Sequence, residues 1–74
     1  MKRTHDTHGM RVTEAEALFY SILNEARLKG KLIETEFITG TGVIKTRLEQ
    51  LATSQELNAY TPMANRGVLV VEFE

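Results

Sequence analysis

Two polar segments ending in glycine, Asp6-Thr7-His8-Gly9 and Thr39-Gly40-Thr41-Gly42, stand where a strand hands over to a helix. That repeated junction favours alternating strands and helices, and in an α/β layer both junctions can lie along one edge of the sheet with a helix N-terminus behind each. Seventy-four residues make a single domain over 1–74 and leave no room for a second core. Cysteine is absent, so neither disulfides nor thiolate metal sites can staple so small a fold.

The helices are announced by their spacing. Thr13-Glu14-Ala15-Glu16 fits a capping box, and Ala15, Leu18, Phe19, Ile22, Leu23 and Ala26 follow at amphipathic intervals. Arg27 and Lys29 suit a C-terminal dipole, and Gly30 suits the residue that ends the helix. Val43, Ile44, Leu48, Leu51 and Ala52 predict a second helix, which Thr53-Ser54-Gln55 closes without a glycine.

The strands are less even. Residues 2–8 allow only a short strand at an edge. From Leu32 to Ile38, Ile33, Thr35 and Phe37 share one face, with Glu34 and Glu36 on the other. An acidic face implies that helices cover only one side. Leu57 to Met63 is a weaker strand, because Pro62 lacks an N–H and favours an edge or a strand end. Val68 to Phe73 is nearly continuous in apolar residues, as an interior strand is, and Ala64 to Gly67 supplies a hairpin turn before it. The expected fold is an α/β (α+β) two-layer sandwich of order β-α-β-α-β-β, with two helices packed on one face of a mixed four-stranded sheet.

The net charge of −1 argues against a strongly basic nucleic-acid binder, although cations are unevenly placed. Lys2, Arg3 and Arg11 flank the first junction, and Lys45 and Arg47 follow the second. Asp6 and His8, two apart, point the same way in an extended chain and could form an acid–imidazole pair; the bland reading is a solvated terminus. With His5 they could instead offer ligands to a divalent cation, but so local a set rarely completes a shell. The cofactor is thus unknown, and no metal ligands are assigned. Gly40 and Gly42 could turn backbone N–H groups toward a phosphate, with hydroxyls from Thr39 and Thr41; they could also simply punctuate the chain, with Thr41 as N-cap. Arg66, in the later turn, is either a further phosphate contact or a solvated side chain. No apolar run is long enough to span a membrane, and the N-terminus lacks the apolar stretch of a signal peptide, so a cytoplasmic protein is expected.

His8-Gly9-Met10 followed by Val12 and Glu14-Ala15 resembles the start of the Smr (small MutS-related) domain. Phe37-Ile38-Thr39-Gly40-Thr41-Gly42-Val43-Ile44 is similar to that family's second motif, and Val68 to Phe73 to its closing strand. The resemblance covers nearly the whole chain in order. It implies a nucleic-acid-acting domain that nicks DNA or cleaves RNA by phosphodiester hydrolysis. On that basis Asp6 and His8 would be catalytic. Gly9, Arg11, Thr39, Gly40, Thr41, Gly42, Lys45, Arg47 and Arg66 would meet the nucleic acid. Position 7 is threonine where the family has leucine, and the second motif is about two residues short. The alternatives are a non-catalytic module that binds nucleic acid or a protein on the same scaffold, and a self-associating protein.

Overall fold

The computed structural model describes all residues, 1–74, as six elements: β1 (Lys2–Asp6), α1 (Val12–Lys29), β2 (Ile33–Ile38), α2 (Val43–Ser54), β3 (Asn58–Tyr60) and β4 (Val68–Phe73). The sheet order is β1-β2-β4-β3. β1 runs parallel to β2, and both β2 and β3 run antiparallel to β4. Both helices lie on one face, so the expected two-layer sandwich is the fold observed.

The core explains why. Ala15, Phe19, Ile22, Leu23 and Ala26 of α1 and Leu48, Leu51 and Ala52 of α2 are buried against Ile33, Phe37, Leu69, Val71 and Phe73 of the sheet. Phe19, Phe37 and Phe73 pack edge to face, with Phe73 at ring-centroid distances of 4.9 Å from Phe19 and 6.1 Å from Phe37. They tie α1, β2 and β4 together at the centre.

Several local expectations shift. α1 starts at Val12, with Arg11 at the N-cap. Glu14, not Glu16, reaches back: its Oε1 accepts the Arg11 N–H at 2.9 Å. An arginine side chain has no acceptor, so only half of a capping box forms. Glu16 instead takes Arg47 of α2, with Nε to Oε2 at 2.6 Å. Val43, in the first turn of α2, is largely exposed rather than part of the apolar stripe. The predicted strand over Leu57–Met63 shrinks to Asn58–Tyr60. Beyond it the Pro62 carbonyl accepts the Asn65 N–H, so the chain turns before Pro62 would have to donate to a ladder.

Candidate functional site

Both glycine-ended junctions lie at the C-terminal ends of the parallel pair β1 and β2, the end at which α/β sheets commonly place ligands. At the first, Thr7 is fully buried, and its N–H and hydroxyl both reach the Ile38 carbonyl, at 3.0 and 3.3 Å. The Thr7 carbonyl then accepts the Met10 N–H at 3.0 Å, closing a four-residue turn. Gly9 sits third in that turn at φ +86°, which favours glycine. Threonine at position 7 therefore has a structural reason: it caps the end of β2 with its hydroxyl.

The two junctions meet. A Cβ built on Gly40 would lie 3.7 Å from Cδ2 of His8, which places the imidazole against the Gly40 backbone. Gly40 itself has φ +70°. A third loop joins them, since a Cβ on Gly67 would lie 3.7 Å from Gly40 Cα. The Gly67 carbonyl accepts the N–H groups of Thr39 at 2.9 Å and Gly40 at 3.1 Å. Sequence reasoning did not single out Gly67. Its signal was the Asn65-Arg66-Gly67 turn, in which the Asn65 Oδ1 accepts the Gly67 N–H at 3.0 Å.

These contacts redistribute the expected roles. The Gly40 N–H is committed to Gly67, and the Thr39 hydroxyl donates to the Gly40 carbonyl at 2.7 Å. The N–H groups that face outward belong to the start of α2. That helix begins at Gly42 with no side-chain cap and no acid in its first turn, so its positive end is open. Thr41 precedes it and is not its cap. Asp6 uses Oδ1 to accept the His8 main-chain N–H at 2.9 Å, an Asx turn that fixes the loop without engaging the imidazole. His5 faces the helix layer against Phe37, at 6.4 Å between ring centroids. No group of three or more His, Asp or Glu side chains is placed to hold a metal ion.

The cations separate into two sets. Lys45 donates from Nζ to the Arg66 carbonyl at 2.6 Å. Together Lys45 and Arg66 line a shallow groove of about 370 Å³ with Thr61, Pro62 and the fully exposed Met63. Arg66 has no carboxylate within ion-pair distance, and neither has Arg11, which is exposed at the start of α1. Arg47 is held by Glu16 and lines a second shallow groove of about 460 Å³ with Val12, Thr41, Gly42 and Val43.

No family model, no curated protein and no solved structure matches this chain. That outcome corrects the labels that came with the resemblance. Smr domain, endonuclease, nuclease, hydrolase, DNA binding and RNA binding find no support among known proteins, whereas the α/β sandwich stands on the strand order itself. No helix is long and apolar enough to cross a membrane.

Proposed function

We propose that the end of the sheet where these loops converge is a binding site for a phosphate-bearing ligand. The observation that carries this reading is the open N-terminus of α2 at Gly42, with Lys45 in the first turn of the same helix reaching the Arg66 carbonyl in the adjoining groove, where the Arg66 side chain is unpaired. Free N–H groups and a helix dipole favour an anion, and two nearby cations add attraction that the helix alone would lack. Gly40, pinned to Gly67, holds the loop rigid, so little ordering cost falls on binding. A cytoplasmic setting suits such a module and its cysteine-free composition.

The neutral overall charge limits the electrostatic reach of this site to its own surroundings. A mononucleotide or a short single-stranded segment, rather than a long duplex, matches one short cationic groove. The test is an amide chemical-shift titration with inorganic phosphate, a nucleoside monophosphate, and short DNA and RNA oligonucleotides. The reading requires shifts at Thr41–Lys45 and Arg66–Gly67 that weaken in Lys45→Met and Arg66→Ala. Shifts elsewhere, or none with any probe, would remove it. The oligonucleotide samples also test hydrolysis: products formed by the wild type and absent with His8→Ala would give the imidazole over Gly40 a chemical task.

A further inference from the structure

We propose that the free edge of β1 pairs antiparallel with β1 of a second copy of this chain, about a two-fold axis at Thr4. The register with β2 determines which backbone groups remain open. The Met1 carbonyl accepts the Glu34 N–H at 2.8 Å, and the Thr7 N–H donates to the Ile38 carbonyl at 3.0 Å. In a parallel ladder every second residue bonds inward, so the odd-numbered residues of β1 face β2. The N–H and carbonyl groups of Lys2, Thr4 and Asp6 therefore point out of the sheet at its edge. Five residues of open strand are a template for another strand. The opposite edge, β3, offers only three.

Charge selects the occupant. Antiparallel pairing centred on Thr4 sets Thr4 opposite Thr4 of the second copy, and Lys2 opposite its Asp6, twice by symmetry. These are the same residues whose backbone groups are open, so they form the hydrogen-bonded pairs of the new ladder. Lys2, Thr4 and Asp6 alternate with Arg3 and His5 and share the face away from the helices, where each lysine meets a carboxylate. Inside one copy Lys2 has only a loose contact, with Nζ 3.7 Å from Glu34. Arg3 would stand opposite His5 of the second copy, with its guanidinium already held by Glu25. A lysine on an edge usually discourages pairing, but here the same strand supplies its counter-charge. The product is one eight-stranded sheet with the loop sites of the two copies at opposite ends of the shared edge.

Sedimentation velocity across a concentration series reads the outcome, with the mass rising from 8.4 kDa toward twice that value. Lys2→Glu alone sets Glu against Asp6 twice and should raise the dissociation constant by at least about tenfold. Asp6→Lys alone sets lysine against lysine and should do the same. Mixed together, the two variants restore both pairs and should form a heterodimer that neither forms alone. Thr4→Pro removes an outward N–H that the monomer does not use, so it should keep a native circular-dichroism spectrum and stay monomeric. A wild type that stays at 8.4 kDa at all concentrations overturns the proposal. So does a dimer unaffected by Thr4→Pro, or a mixture of the charge variants that remains monomeric while the wild type associates.

Discussion

Thr35 is the one buried side chain whose polar atom has no partner. It lies on the helix-facing side of β2 between Ile33 and Phe37, opposite Arg3 on β1 and Val71 on β4. A buried hydroxyl without a hydrogen bond carries its desolvation cost uncompensated, and valine has nearly the same shape. Thr35→Val should therefore stabilise the domain by about 1 kcal/mol, read as a higher urea midpoint at unchanged slope. A lower midpoint would mean that the hydroxyl finds a partner in solution. Gly40 makes the opposite case. At φ +70° with His8 against it, Gly40→Ala should cost about 1–2 kcal/mol and shift the His8 ring resonances. Gly9→Ala carries a comparable backbone strain at φ +86°, but its new methyl group would meet no residue beyond its chain neighbours within 4 Å. That the two junctions converge was legible in the sequence, because each follows a strand of one parallel pair. That Gly67 would take the Gly40 N–H was not, since a hairpin turn read locally says nothing about which carbonyl it delivers across the fold.

At the scale of elements, the two helices end in the same way with different residues. After α1, the Lys31 N–H returns to the Ala26 carbonyl, with Gly30 left-handed at φ 61°. After α2, the Leu57 N–H returns to the Ala52 carbonyl and the Glu56 N–H to that of Thr53, with Glu56 left-handed at φ 57°. Both share the six-to-one return bond, completed after α2 as a Schellman closure, but a glutamate Cβ pays for the conformation that glycine adopts freely. Glu56→Gly should raise stability by about 0.5–1 kcal/mol despite the greater freedom of the unfolded chain. Thermal denaturation beside Glu56→Ala, which keeps the Cβ and should gain nothing, isolates the backbone term. Helix existence and facing were legible because burial imposes the 3.6-residue period over many positions. Ends were less so. Glu16 is drawn to Arg47, a partner 31 residues away. The start of α1 at Arg11 and the shortening of β3 rest instead on local contacts, Glu14 to Arg11 and Asn65 to Pro62, that compete with the pattern read from the sequence.

For the molecule as a whole, the question is what holds β1 in place, since both the loop at Gly40 and the proposed edge depend on it. β1 has no apolar side chain and contributes none to the core; its alternating residues are exposed or half-buried. Besides the ladder to β2, its tie to the helix layer is Arg3, whose guanidinium makes a two-pronged contact with the Glu25 carboxylate of α1. Lys29 adds to the same carboxylate at 3.1 Å. The hydrogen bond from Arg3, then that from Lys29, lower the Glu25 pKa from its ordinary value of 4.5 to about 2. The folded protein thus holds this carboxylate ionised at pH values where the unfolded chain has protonated it. The stabilisation is complete above about pH 4.5, fades as pH falls through the interval, and is gone below about pH 2. Glu25→Gln removes the charge at every pH. Urea unfolding of wild type and variant should therefore show the wild type ahead at pH 7, the gap narrowing through pH 4 and 3, and the two nearly equal at pH 2. A gap of constant size would mean that the pair contributes by packing alone. Because β1 depends on this tie, its amides should lose hydrogen-exchange protection in Glu25→Gln before those of β2 and β4, whose residues line the buried core.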